Sequence, residues 1–178
     1  MIGSLGGMDR DALRLAQKKL KDGYRADPRL ARVRLAAEGA LDAGGISCSV
    51  RTGRDLAVAG LHPASGGDGS LACSGDMLLQ ALVACAGVTL RAVATSAQIP
   101  VSGGTVRAEG DLDFRGTLAV DKTAPVGFTA IRLYFELTGA ATDAQIETLL
   151  GLTERYCVVY QTLAQAVPVD ATAARAAT

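Results

Sequence analysis

The sequence has no tryptophan and a single histidine among 178 residues, and its charges cancel, with 18 basic and 18 acidic side chains. A protein that binds nucleic acid normally carries a basic excess, because neutralising phosphates supplies much of its affinity. A membrane-spanning helix needs about 20 consecutive apolar residues. The longest apolar run, Met77 to Leu90, is interrupted by Gln80 and followed by Arg91. We therefore expect neither a nucleic acid nor a membrane as partner.

The first residues, MIGSLGGMDRDALRLAQKK, lack a basic segment followed by an apolar one, so no signal peptide is predicted. We expect a cytoplasmic protein whose cysteines are reduced thiols. The four cysteines show no CxxC spacing, and a single histidine could assist them, which is the wrong pattern for a zinc site. They are Cys48, Cys73, Cys85 and Cys157.

The motifs of several enzyme classes are also missing. No GxSxG nucleophile elbow is present, and the glycine-rich stretch SGGDGSLACSG lacks the GK[ST] ending of a P-loop. A hydrolase triad or a Cys–His pair would have to use His62, which lies in a loop rich in glycine and proline. A lone loop histidine is usually a solvated side chain. We predict no metal and no cofactor, which leaves thiol chemistry.

The chain divides into three parts. Asp9 to Lys21 is predicted as a short polar helix, ended by Gly23 and by the turn at Asp27–Pro28. We expect an N-terminal helical appendage over residues 1–28, a main domain over 29–170 and a flexible tail over 171–178.

The main domain contains stretches in which apolar and polar residues alternate, the pattern of half-buried strands. The turn sequence DAGG between the first two favours a hairpin. One polar face on each strand indicates an antiparallel sheet covered on one side. The four stretches are RVRLAAEG with Val33 and Leu35 inward, ISCSV with Ile46, Cys48 and Val50 inward, TVRAEGDLDFR with Val106, Ala108, Leu112 and Phe114 inward, and FTAIRLYFEL with Ile131, Leu133, Phe135 and Leu137 inward.

Two helices can cover that sheet, which makes the fold class α+β. The first is predicted to start with Ser74 as its cap and Asp76 in its first turn. It is apolar nearly all round, so one side can face the sheet while the other needs a second partner, such as a second copy of the chain. The second opens with the capping box TDAQ from Thr142 and carries an apolar stripe that reaches Cys157.

Each cysteine has a structural interpretation, because free cysteine is among the most buried residue types. Cys48 is predicted in the core and Cys73 in a loop near a helix start, where its thiol pKa could be lowered. If the two helices pack together, Cys85 and Cys157 could share one pocket. A thiolate there attacks an electrophile, and a second thiol resolves the oxidised sulfur as a disulfide.

Activation of such a thiol without histidine calls for a guanidinium, since Cys85 lies too far along its helix for the N-terminal dipole to act on it. The sequence leaves four arginines open for this role: Arg51, Arg54, Arg91 and Arg155.

At these residues the chain resembles the OsmC/Ohr family, the osmotically induced and organic-hydroperoxide-resistance proteins. The resemblance rests on SGDMLLQALVACAGVTLRAVA, GDLDFRG, PVGFTAIRLYFEL and LTERYCVVYQTL, and it covers roughly residues 29–169. It implies an intertwined homodimer in which antiparallel sheets wrap around central helices. It also implies two sites at the subunit interface.

The resemblance implies that Cys85 attacks an organic hydroperoxide, that Cys157 resolves it and that a cellular dithiol restores both thiols. The sequence departs from the peroxidase branch at three positions, which places it in the broader OsmC-like group. Ser74-Gly75 stand where that branch has Pro-Glu, with Asp76 one position later; Arg54 only resembles the branch's arginine; and Val158 replaces the usual proline.

Two other interpretations remain open. One is a non-catalytic dimer of the same fold that binds a small lipophilic or thiol-reactive molecule. The other is a purely structural interaction protein, in which Cys85 and Cys157 would be inert and far apart.

Overall fold

The computed structural model describes residues 9–41, 46–52 and 55–175, and this part of the chain contains helices and strands in the order α-β-β-β-β-α-β-α-β-α-α. Two 3₁₀ turns, Pro28–Ala31 and Pro63–Ser65, accompany them. The elements are α1 (Arg10–Ala26), β1 (Gly39–Leu41), β2 (Ser47–Thr52), β3 (Asp55–Gly60), β4 (Ala72–Cys73), α2 (Ser74–Ala97), β5 (Val101–Leu112), α3 (Phe114–Thr117), β6 (Phe128–Gly139), α4 (Asp143–Tyr156) and α5 (Val158–Ala164).

The strands form two separate sheets, and the predicted α+β class is confirmed. β1, β2 and β3 pair antiparallel in chain order, so β2 has an antiparallel partner before it as expected, but that partner is β1 at Gly39–Leu41 and not the predicted strand that begins at Arg32. The DAGG turn itself, residues 42–45, lies outside the described residues. The two-residue β4 adds a short parallel edge to β3, which the alternation of apolar residues did not predict. β5 and β6 form a long two-stranded antiparallel ribbon.

The ribbon follows the predicted alternation along β6, where Ile131, Leu133 and Phe135 are half-buried and Arg132 is exposed. The prediction that β5 extends to Phe114 was wrong. Asp113 ends the strand, because its carboxylate accepts a hydrogen bond from the amide of Arg115 at 3.0 Å and caps the single turn α3.

The core lies where α2 packs against β5, β6 and α4. Buried α2 residues recur every four positions, which places them along one face of the helix. Two of them join Ile99, Val101 and Leu149 in one cluster. The buried α2 residues are Leu82, Ala86, Leu90 and Ala94. The cap of α2 is Cys73 and not Ser74 as predicted, and its side chain makes no capping hydrogen bond.

The opposite face of α2 is exposed in the single chain. Leu78, Ala81, Ala84 and Val88 lie on it, and Val88 is 72% exposed. Only 22% of the most apolar 18-residue window of α2 is buried, although its mean hydropathy of 1.8 and its length would suit a membrane span. A core helix of a soluble protein has the same length and composition. The apolar helix surface predicted from the sequence is therefore present and uncovered.

The N-terminal region differs from its prediction in two places. The first helix begins after Asp9, which accepts from the amide of Ala12, but it continues through Gly23 to Ala26. Residues 32–38 form no regular structure, so the predicted strand there was wrong. Val33 and Leu35 are 73% and 87% exposed. No element described in the single chain pairs with this segment, so nothing holds it as a strand.

Candidate functional site

The break between α4 and α5 positions Cys157. The capping box predicted at Thr142 and Gln145 starts α4, but the helix ends at Tyr156, so Cys157 is not part of its stripe as predicted. Cys157 has extended backbone angles and caps α5. Its sulfur accepts from the amide of Tyr160 at 3.5 Å, and the residue is fully buried.

Cys85 faces this break from the middle of α2. Its half-buried thiol is close to the thiol of Cys157, and the backbone amides of Val158 and Val159 and the hydroxyl of Thr89 are near enough to affect its pKa. The two cysteines singled out in the sequence therefore meet. In the chain, the whole β5–β6 ribbon and α4 lie between them.

The surroundings act on the two thiols in opposite directions. Burial raises the pKa of Cys85, but hydrogen bonds from the Val159 amide, Cys157, the Val158 amide and Thr89 outweigh it, so the pKa lies below its ordinary value. Burial also raises the pKa of Cys157, and contact with the sulfur of Cys85 raises it further, so that pKa lies above its ordinary value. Of the two thiols, Cys85 therefore ionises more readily than an ordinary cysteine and Cys157 less readily.

The arginines proposed as activators do not provide this stabilisation where the structure describes them. Arg91 donates to the backbone carbonyl of Val101 at 2.7 Å, and the exposed guanidinium of Arg155 lies 5.5 Å from the ring of Tyr156. The side chain of Arg51 and all of Arg54 lie outside the described residues. The amides at the start of α5 help to lower the pKa of Cys85, and the sequence analysis did not predict them. The sequence contained one indication of this role: residue 158 is valine, which has a backbone N–H, whereas proline at the same position would have none to donate.

The other residues considered for chemistry in the sequence, His62, Cys48 and Cys73, lie apart from the cysteine pair in the chain. His62 caps the turn Pro63–Ser65 by accepting the amide of Ala64 on Nδ1 at 3.0 Å, and its ring stacks on Phe114 with centroids 4.9 Å apart. Cys48 and Cys73 are half-buried free thiols. Within residues 9–41, 46–52 and 55–175, no group of three His, Cys, Asp or Glu side chains could hold a metal.

Gly75, where the peroxidase branch has glutamate, lies in the first turn of α2. A Cβ there would sit 3.5 Å from the ring of Phe128 and 3.7 Å from Leu112. A longer side chain would start from an apolar pocket, and the neighbouring Asp76 is exposed. These are ordinary van der Waals distances, so the packing leaves room for a Cβ at this position.

An open cavity of about 470 Å³ is lined in part by Tyr160, whose amide binds the sulfur of Cys157; neither Cys85 nor Cys157 is among its lining residues. Leu82, one turn before Cys85, forms part of another wall, and Glu154 contributes a carboxylate. The rest of the lining comes from β6 and the end of α5: Phe128, Thr129, Ala130, Ile131, Leu133, Leu163 and Ala164.

The model of the family described as OsmC-like protein matches residues 67–172 of this chain. The chain belongs to the OsmC-like family. The match includes α2, α4, α5 and both Cys85 and Cys157, and it confirms the resemblance identified from the sequence motifs. No curated protein matches the sequence.

Solved structures agree on the fold. An OsmC-like protein from Mycoplasma pneumoniae has a TM-score of 0.60 and 17% identity, covering 74% of this chain and 88% of that one. An organic hydroperoxide resistance protein from Elizabethkingia anophelis has a TM-score of 0.59 and 17% identity, with 73% and 87% covered. An organic hydroperoxide resistance protein OsmC from Legionella pneumophila has a TM-score of 0.59 and 16% identity, with 74% and 91% covered. At such identities the likeness establishes the fold alone.

Proposed function

We propose that the protein is a thiol-dependent peroxidase that reduces organic hydroperoxides with Cys85 and Cys157. The observation that supports this most is the contact between the two thiols, one with a lowered pKa and the other with a raised one. Peroxide reduction needs a thiolate and a second thiol within reach of it. Two solved structures of similar fold are named organic hydroperoxide resistance proteins, which points to the same substrate class.

The proposed reaction has three steps. The thiolate of Cys85 attacks the outer oxygen of the hydroperoxide, the O–O bond breaks, and the departing alkoxide takes a proton to become an alcohol. Cys85 is thereby oxidised to a sulfenic acid. Cys157 then attacks the Cys85 sulfur, a disulfide forms and water leaves. A cellular dithiol reduces the disulfide through a mixed disulfide and regenerates both thiols.

In this proposal, backbone amides at the start of α5 stabilise the Cys85 thiolate in place of the guanidinium that the sequence analysis expected. The amides of Val158 and Val159 carry partial positive charge, and neither is used by a preceding carbonyl because they open a helix. Charge-assisted hydrogen bonds of this kind are roughly twice as strong as neutral ones. A thiolate at this position is therefore stabilised without an ionic partner.

The functional unit is proposed to be an intertwined homodimer in the cytoplasm. The exposed apolar face of α2 (Leu78, Ala81, Ala84 and Val88) is the surface that a second copy would cover. A reducing compartment is required, because the cycle starts from two free thiols. We expect the dimer to bury more than about 2,000 Å² in total, the range of obligate interfaces.

The cavity lined by Tyr160 favours a second candidate function. Its apolar walls and volume of about 470 Å³ fit a small lipophilic ligand, so the same fold could bind such a molecule without reacting with it. The third interpretation, an interaction protein with inert and distant cysteines, conflicts with the contact between the two thiols.

Hydroperoxide consumption separates the two candidates. Wild type supplied with cumene hydroperoxide and dithiothreitol is expected to turn over repeatedly, Cys85→Ser to show only the background rate, and Cys73→Ser to match wild type. Cys73 is a suitable control because it is a half-buried free thiol that caps α2, the helix that contains Cys85. Equal rates for wild type and Cys85→Ser would overturn the peroxidase proposal and leave ligand binding.

A further inference from the structure

We infer that Glu154 makes the cavity of about 470 Å³ selective for charge, so that it takes small lipophilic molecules with a neutral or cationic head group and disfavours anionic ones. The inference rests on ligand binding in this cavity, the second candidate function, and adds which ligands bind there. It depends on neither thiol.

Most of the cavity wall is apolar. Leu82 of α2 is buried, and Ile131 and Leu133 of β6 lie two residues apart, so they project from the same face of the strand. The ring of Phe128 forms another wall and lies against the backbone of Gly110 in β5, where a Cβ would collide with it. A lipophilic chain therefore meets a surface that the fold has already formed.

Glu154 differs from these walls because it carries charge. Of the described residues that line the cavity, it is the only one of the types Asp, Glu, Lys, Arg and His. Within the described part of the chain no ion pair includes it, so no cation there offsets its charge. An anionic head group in the cavity meets a like charge, whereas a cationic one meets a partner.

The backbone holds Glu154 in place at the end of α4. Its carbonyl accepts from the side-chain amide of Gln161 at 2.8 Å, which ties the last turn of α4 to α5. Thr153 and Cys157 on either side are buried, so this turn cannot rotate without exposing them. Glu154 itself is exposed, and solvent screens its charge. We therefore expect a selectivity of several-fold and not of orders of magnitude.

The test measures how well three molecules with the same chain displace the fluorescent probe N-phenyl-1-naphthylamine from the purified protein at pH 7. Decylamine is cationic, decanol neutral and decanoate anionic. Glu154→Gln removes the charge and keeps the shape of the side chain. Glu147→Gln is the matched control, because Glu147 is exposed on the same helix two turns earlier and does not line the cavity.

Glu154→Gln should bind decanoate about two- to fivefold more tightly and decylamine about two- to fivefold more weakly, with decanol unchanged. Opposite shifts for the two ions report charge, since a change in packing would move all three affinities in one direction. Glu147→Gln should keep the wild-type values. Ala164→Trp fills the cavity from the exposed end of α5 and should weaken binding of the probe at least about tenfold.

In Glu154→Gln, no shift for either ion or shifts of the same sign would overturn the inference and leave ligand binding in place, as would equal shifts in Glu147→Gln. Absent probe binding in wild type, or probe binding that survives Ala164→Trp, would overturn both. If Ala164→Trp does not fold by circular dichroism, Ala130→Phe takes its place with the same criteria. Charge selectivity without hydroperoxide turnover would keep this inference and refute the peroxidase proposal.

Discussion

The part of the chain around the thiols and the N-terminal third are packed to different degrees. Between residues 74 and 164, α2, α4 and the ribbon enclose Leu90, Leu149 and the fully buried Cys157. Among the side chains described between residues 9 and 60, none is buried. Cys85 and Cys157 thus meet within one chain, whereas the described side chains of the first third form no core of their own.

This difference in packing indicates which surfaces of the chain a second copy would cover. Apolar side chains of the N-terminal third, such as Leu35, and the exposed face of α2 both lie open in the single chain. Large exposed apolar surfaces usually mark interaction sites. We therefore expect dimerisation to depend on the N-terminal third and the α2 face. The reactivity of Cys85 should depend on the packed part alone.

The largest expected effect is on the dimer. Val88→Glu places a charge on the exposed face of α2, and burying it without a partner should weaken association by on the order of 3–5 kcal/mol. Sedimentation velocity at micromolar concentration should show a dimer for wild type and monomer for the variant.

Val120→Glu is the control, because Val120 is also 72% exposed but lies between α3 and β6. It should remain dimeric. A wild-type protein that sediments as a stable monomer would contradict the dimer proposal.

The next effect concerns the order in which the thiols ionise. Hydrogen bonding lowers the pKa of Cys85 overall, while burial and the contact with Cys85 raise that of Cys157. As the pH rises, alkylation of Cys85 should begin below the ordinary thiol range near 8.5 and that of Cys157 above it. Peptide mass spectrometry after short iodoacetamide pulses from pH 5 to 10 measures both. Because the two sites interact, the midpoints belong to the pair, and a reversed order would contradict the site description.

A smaller effect is expected from removing one amide donor. Val158 is the first residue of α5 and Cys157 before it is extended, so Val158→Pro fits the backbone at a position where helices accept proline. The variant loses the N–H that helps to lower the pKa of Cys85, and alkylation of Cys85 at pH 7 should slow about three- to tenfold. Val158→Ala keeps the amide and should react like wild type. Unchanged reactivity in Val158→Pro with a native circular dichroism spectrum would exclude the amide as an activator.

The smallest effect is on stability. Cys85→Ala removes one half-buried sulfur from the middle of α2 and should lower the free energy of unfolding by on the order of 1 kcal/mol. Urea unfolding measures it, and the dimer should stay intact. A loss of several kcal/mol would mean that Cys85 is primarily a packing residue.

The sequence predicted the class of fold, and the proximity of Cys85 and Cys157, better than it predicted the ends of elements. Period-two alternation identified β6, and the capping box at Thr142 identified the start of α4, because both are local signals. The strand expected around Leu35 failed because a strand needs a neighbour, and none is available within the described part of one chain. A local pattern carries no information about that neighbour.

The activation of Cys85 could not be predicted for a related reason. From the sequence, the N-terminus of α2 is too distant from Cys85 to lower its pKa, which left only arginines as candidate activators. The donors come from the start of α5, which is distant from α2 in the chain and packs against it only in the folded protein. The one local trace was Val158 at a position where the resemblance implies proline.

The most direct test of the account is the fate of the four thiols after one equivalent of cumene hydroperoxide, read by peptide mass spectrometry. We expect a Cys85–Cys157 disulfide in wild type. In Cys157→Ser we expect a sulfenic acid on Cys85 that dimedone traps, since the resolving thiol is gone. If Cys85 stays an unmodified thiol while Cys73 oxidises first, the pair is not a redox site and the catalytic assignment of Cys85 fails.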